Sequence, residues 1–351
     1  RTVLALKART ALYAASPLFN SHQEGSQGYK ELWYRAAKAN KELIETCEDA
    51  GMRLIDDYEN LWDAKSYSIA IDELIFGCRA IRATNSFEKY NFPVGLENCR
   101  GGNCPTQTLV DAYELKDSGE RPDKKADYDK NKPYYEGRDP RFEKTIAKNG
   151  DTKWPNWNET ALETYQGGAN AEPLSGGTPT GYYLKKYCQT SINTTTAKPT
   201  TDNHTWIIYR LGEFYLNYAE ALFKYLGTAY ATNNEFPIPA NEMVSKTRRR
   251  TKVNMPKFPA GLDNKLWWEK YQNERMVELA FEGHRFWDVR RWKEGDKHFS
   301  SIDEMKIYKS GDSYSYRRVT VNRQWDDKMY FFPIPQSEKA KNPNLTQNPG
   351  W

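Results

Sequence analysis

The chain has 351 residues, 28% charged and 38% apolar, enough to bury a sizeable core and too apolar for wholesale disorder. Lys and Arg number 51 against 47 acidic residues, and a dispersed net charge of +4 argues against a nucleic-acid partner. No run approaches the roughly 18 apolar residues of a membrane helix.

From Thr2 onward, Val3, Leu4, Leu6, Ala8, Ala11, Leu12 and Ala15 recur at helical spacing, predicting a helix that stops at Ser16-Pro17. Neither an N-cap nor an initiator Met precedes it, so further residues, and any targeting signal, are expected upstream of Arg1. A second helix is expected from about Gly28 to Ala50, with Leu32, Trp33, Ala36, Ala37, Leu43, Ile44 and Cys47 on one side and Gly51 as its stop. Together they make a helical hairpin. Between Thr84 and Thr205 the sequence is rich in Gly, Pro, Asn, Asp and aromatics, a loop-dominated stretch of the kind that carries function. Asn149-Gly150, between Lys144-Thr145-Ile146 and Thr152-Lys153-Trp154, predicts a β-hairpin, and Tyr182–Tyr187 a short strand. Trp206–Leu226 reads as one helix stopped by Gly227, followed by helices over about Ala240–Thr251 and Asp263–Glu282, the latter stopped by Gly283. Two strand-like runs, Ser315–Val321 and Met329–Phe332, lead into a Pro-rich tail.

The reading is one mainly α domain, lacking its N-terminal part. It divides into a helical hairpin and first strand (1–83), a loop-rich ligand-facing region (84–205), a helical block (206–299) and C-terminal strands and tail (300–351). Small residues where helices would meet (Ala36, Ala37, Ala219, Ala221) resemble tetratricopeptide packing. The expected architecture is a tetratricopeptide-like helical-hairpin scaffold with a loop-rich subdomain carrying short β-hairpins.

The chemistry-bearing residues are sparse. The four histidines (His22, His204, His284, His298) show no metal-ligand spacing, and HExxH, GxSxG, P-loop and GxGxxG motifs are absent. No cofactor or metal is expected; Asp and Asn are abundant, but no Ca²⁺-loop motif is present. Cys99 and Cys104 flank Arg100-Gly101-Gly102-Asn103, and either a small disulfide or two free thiols fits that loop. Glu274, Glu278 and Glu282 fall at i, i+4 and i+8, expected as an ion-pair ladder with Arg275, Arg285, Arg290 and Arg291 rather than an acid/base pair, which would converge across a cleft. Lys246, Arg248, Arg249, Arg250 and Lys252 are expected on a solvated helix face.

Aromatics make up 14% of the chain, with mean hydropathy −0.90, so many rings should lie near the surface or under loops. Trp154, Asn156, Trp157 and Asn158 set two indoles beside two amides at a predicted hairpin tip, and Tyr165 follows. Sugar recognition uses this pairing, with the pyranose C–H face on a ring and its hydroxyls on amides. The rival reading is that the two indoles pin the loop to the scaffold.

Six segments, in order, resemble the SusD/RagB family of Bacteroidetes outer-membrane lipoproteins. They are Leu4–Arg9 with Tyr13–Asn20, Pro105–Gln107 with Leu109–Glu114, Arg138–Phe142, Arg210–Glu213 with Tyr218–Ala221, Asn273–Trp292, and Phe332–Glu338 with Asn342–Gly350. The resemblance implies a nutrient-binding protein, not an enzyme, that captures oligosaccharides and sits over a SusC-like TonB-dependent transporter. It implies cell-surface exposure on the outer membrane through a lipidated N-terminal Cys absent from this chain. A RagB-type peptide receptor is the alternative; a glycoside hydrolase on a helical scaffold is a more distant one. Family members often bind through loops just ahead of the Pro-Thr-Gln segment, which adds Tyr90, Asn98, Arg100 and Asn103, with Asn91, as candidates.

Overall fold

The computed structural model describes residues 1–351. Two helices open it, α1 (Thr2–Ala15) and α2 (Gln27–Asp49), the second N-capped by the Ser26 side chain, which accepts from the Tyr29 amide. After α3 (Tyr67–Ala70) comes β1 (Leu74–Arg79). The irregular region holds α4 (Ser86–Asn91), α5 (Gln107–Ala112), α6 (Arg141–Thr145) and the two-residue strands β2 (Ile146–Ala147) and β3 (Tyr183–Leu184). Then follow β4 (Thr205–Arg210), α7 (Leu211–Leu226), α8 (Ala240–Arg248), α9 (Asn264–Glu278), α10 (His284–Arg291) and α11 (Gly295–Phe299). A hairpin of β5 (Ser301–Ser310) and β6 (Ser313–Asn322) and the short α12 (Gln336–Lys341) complete the chain. No helix is long and apolar enough to cross a membrane.

The main core lies where α1, α2 and α7 pack together with α8 and α9. Ala8, Leu12, Trp33, Ala36, Leu43, Phe214, Ala219, Leu222 and Trp267 are all fully buried there. The alanines let helix axes approach, as the hairpin reading expects. α7 is buried on every side from Leu211 to Phe223. Gly227 stops it in a left-handed conformation (φ +76°) that closes the last turn through its amide on Phe223 O.

Four element readings need correction. Trp206–Arg210 is a strand, not the start of the helix: Ile207 and Tyr209 face inward while Ile208 is exposed, a period of two, and β4 pairs antiparallel with β1. Asn149-Gly150 is a turn, but Ile146-Ala147 pairs with Tyr183-Leu184 rather than with Thr152–Trp154, whose Trp154 packs instead as a side chain beside Ala147 and Tyr183 of that pair. Met329–Phe332 is not a strand; Asp327–Tyr330 forms a 3₁₀ turn capped by Asp326, and the partner of the Ser315–Val321 run is Ser301–Ser310. Finally, α9 ends at Glu278, and Gly283 opens α10 instead of closing its predecessor.

Candidate functional site

The loop aromatics fall into two groups. Trp154 is 5% exposed and meets Phe92 edge-on at 5.4 Å, within a small core of Phe92, Val94, Leu162, Tyr183 and Cys188. Trp157 packs against that core and donates its indole N–H to Ile192 O at 2.8 Å. Asn158 is buried and spends its amide on Trp154 O and Thr160 O. Asn156 is exposed, its backbone tied to Thr190 O. Tyr165 sits apart against Tyr314 of β6 and Lys309 of β5. A buried ring cannot take a pyranose, so Trp154 is corrected from platform to pin, and Trp157, half-buried with its N–H committed to Ile192 O, braces it.

Of the candidates ahead of Pro105, Tyr90, Asn98 and Arg100 converge. Tyr90, on α4, is 53% exposed and borders a recess of about 560 Å³ shared with Ser86, Lys89, Asn98 and Arg100. The Tyr90 ring lies against Gly102, where a Cβ would come within 2.1 Å of it, and Gly102 N donates to Tyr90 O at 2.7 Å. One ring face is thus fixed by backbone that only glycine permits. Gly101 N donates to Phe92 O, and Asn98 Nδ2 to Thr194 O at 2.9 Å, so the loop is tied at both ends. Arg100 is exposed and makes no ion pair or side-chain hydrogen bond, leaving its guanidinium free for a ligand. Asn103 turns away, donating to Asn91 Oδ1. Cys99 and Cys104 are free thiols; burial pushes the Cys99 thiol up to about 11, which leaves it unreactive at neutral pH.

The three glutamates are ion-paired, but not with the arginines expected from spacing. Glu274 takes Arg141 at 2.7 Å and Arg248 at 2.8 Å. Glu278 takes Arg141 at 2.6 Å, Arg210 at 2.8 Å and Arg250 at 2.9 Å. Glu282 takes Arg210 and Lys186, each at 2.7 Å. Arg275 and Arg291 pair with Asp288, and Arg291 also with Glu220. Arg248 and Arg250 are therefore interior residues, not a solvated face. Burial alone would raise the Glu278 carboxyl, but Arg250, Arg210 and Arg141 outweigh it and hold it well below the usual range. Burial likewise opposes Glu282, which Arg210 and Lys186 bring down to about 2. Carboxylates so saturated cannot shuttle protons near neutrality. No group of three or more His, Cys, Asp and Glu converges as a metal site.

A third feature was not anticipated. Phe286 and Trp287 on α10 and Phe332 in the tail form an open ledge, with ring centroids 5.0–6.2 Å apart. Arg290 lies 3.5 Å behind Phe286, its Nε donating to Met329 O and its Nη1 to Phe286 O. The ledge is apolar, and Trp287 stands edge-on to both phenylalanine rings, so unlike the Tyr90 recess it offers no polar pocket beside its rings.

The fold and these sites define a helical-hairpin scaffold whose irregular insert carries a small, polar, ring-floored recess. The sequence profile of the SusD family matches residues 73–351, and the chain belongs to that family. Solved structures share the fold. A SusD-like protein from Bacteroides fragilis has a TM-score of 0.75 and 25% identity, over 99% of this chain and 64% of that one. A SusD-like carbohydrate-binding protein from the same species has a TM-score of 0.73 and 23% identity, over 98% and 64%. A laminarin-binding SusD-like protein gives 0.58 and 20%, over 100% and 62%. The chain thus spans 64% of the length of the first two. Among curated proteins none matches it.

Proposed function

We propose that the chain captures oligosaccharides at the cell surface by equilibrium binding in the Tyr90 recess, makes or breaks no bond, and passes its ligand to a SusC-like TonB-dependent transporter. A lipid anchor on the outer membrane, attached ahead of Arg1, belongs to the same reading. The observation that carries it is the Tyr90 ring, backed by Gly102 on one face and open on the other, beside the unpaired Arg100 guanidinium and the Ser86 hydroxyl. A ring and a few hydrogen bonds give weak binding, suited to concentrating a ligand and then releasing it. The absence of any unsaturated carboxylate pair in the Glu274–Glu282 ladder speaks against a hydrolase there. Carbohydrate binding and laminarin binding by two relatives of like fold support the ligand class.

The test is a glycan array followed by calorimetry with the strongest ligand. Tyr90→Ala is expected to weaken binding about tenfold, on the order of 1.4 kcal/mol, with the unfolding midpoint nearly unchanged. Affinity equal to the parent protein, or an array that stays blank while peptides bind, would remove the glycan reading. Co-purification with a transporter tests the partner.

A further inference from the structure

The two recesses beside α9 carry charges of both signs. Lys270 pairs there with Glu114 and Glu120, Arg121 with Asp123 and Lys297 with Glu294, and the Glu269 carboxylate lines both. The Tyr90 recess differs. Of its lining residues, Lys89 and Arg100 are cationic and none is acidic. Neither cation makes an ion pair, and neither side chain donates a hydrogen bond within the protein. Arg100 is exposed and Lys89 half-buried, so both reach the open space in front of the ring. Two carboxylates occur in the same segment, and both are turned elsewhere. Glu88 is buried beneath α4, where it accepts from Gln189 N and meets His204 Nε2, each at 2.8 Å. Glu97 accepts from Thr196 N at 2.7 Å.

The geometry gathers these groups around one ring. Ser86, Lys89 and Tyr90 fall at i, i+3 and i+4 of α4, so one face of that short helix presents hydroxyl, ammonium and phenol ring together. Arg100 comes from the loop that follows, and its backbone is fixed on both sides. Asn98 sits in a left-handed conformation (φ +63°) with its Nδ2 on Thr194 O, and Gly101 N is held by Phe92 O. The Asn98 amide nitrogen is thus committed, while its Oδ1 accepts from no protein donor and stays available to a hydroxyl. A planar guanidinium fork beside an ammonium, with no counter-charge in the recess, matches an oxyanion, and the half-open ring beside it suits a sugar body.

We propose that the Tyr90 recess takes an anionic sugar unit, its carboxylate or sulfate ester between Arg100 and Lys89 and its C–H face on the Tyr90 ring. The proposal rests on the glycan-binding reading of this recess and narrows its substrate class to acidic glycans. Ring hydroxyls of the same unit would donate to Asn98 Oδ1 and Ser86 Oγ. A neutral glycan would gain the ring and the hydroxyl contacts but leave both cations without a counter-charge.

The test is calorimetry with two pairs of trisaccharides: one containing glucuronate against its methyl ester, and one sulfated against its desulfated form. The parent protein is expected to bind the charged member of at least one pair about tenfold more tightly, and the pair that shows the preference identifies the anion. Arg100→Gln and Lys89→Gln should each reduce that preference severalfold, and the double change should abolish it. Lys339→Gln removes an exposed, unpaired cation on α12 and should leave the preference whole, which separates local pairing from overall charge. Equal binding within both pairs, a preference that survives the double change, or one lost equally in Lys339→Gln overturns the proposal. Tyr90→Ala, run in parallel on a neutral glycan, distinguishes the two readings. Neutral binding that depends on Tyr90, with no preference for a charged member in the parent protein, sinks the acidic class alone. Failure of every glycan to bind sinks both.

Discussion

Glu278→Ala is expected to cost the folded chain about 3–5 kcal/mol, measured as a shift in the urea midpoint with an unchanged slope. The size follows from what would remain. Glu278 accepts from Arg141, Arg210 and Arg250, all fully buried, and removing it leaves three guanidinium groups facing one another across an apolar interior. Glu73, Glu274 and Glu282 neutralise part of that charge but are already shared. Deleting an exposed pair such as Lys7–Glu42 should instead change stability by about 0–1 kcal/mol. The pH dependence has a definite sign. Glu278 and Glu282 have folded pKa values below their unfolded ones, near 2 for Glu282, so their contribution is complete above about pH 4.5 and is lost as pH falls toward 2. Burial also takes His284 down to about 4 against the partial opposition of Glu213, so the unfolded chain binds its proton first and stability falls from about pH 6.5 to 4. An acid-unfolding profile flat from pH 6.5 to 3 would contradict both.

What the sequence allowed to be read, and what it withheld, follows from the range of the interactions. The α1–α2 hairpin and the stop of α7 at Gly227 are local: helical periodicity and a left-handed glycine act within a few residues. The partners of Glu274, Glu278 and Glu282 are not local. Spacing on one helix shows that the carboxylates share a face, but the arginines that meet them come from α6, β4 and the end of α8, which only the folded topology brings together. The same holds for Arg248 and Arg250, whose run of charge resembles a wet surface until the acidic cluster opposite it is known. Trp206–Arg210 was misread because a strand running straight into a buried helix presents one continuous apolar stretch. For the recess, Tyr90, Asn98 and Arg100 were legible as polar and aromatic loop residues. Which face of Tyr90 is open depends on Gly102 lying beneath it. The Phe286–Trp287–Phe332 ledge joins residues from two distant segments, and neither segment alone sets its rings apart from core aromatics.

Trp154→Ala separates a pin from a platform. The indole is nearly inaccessible and fills the small core on which Phe92 and Val94 anchor the start of the loop carrying Asn98 and Arg100. Truncation should cost about 3–5 kcal/mol, the range for emptying a large aromatic site. Glycan affinity should fall as a consequence, since Phe92 O receives the Gly101 amide and so sets the Arg100 position. Trp154→Phe decides the cause. It keeps an aromatic ring against Phe92 and removes an indole N–H that is buried without a partner, so most of the stability and the glycan affinity should return. A platform would behave differently: both substitutions would lower affinity while the unfolding midpoint stayed near that of the parent. Measuring the two quantities on the same pair of variants therefore tests whether this segment acts through the ligand or through the loop that meets it.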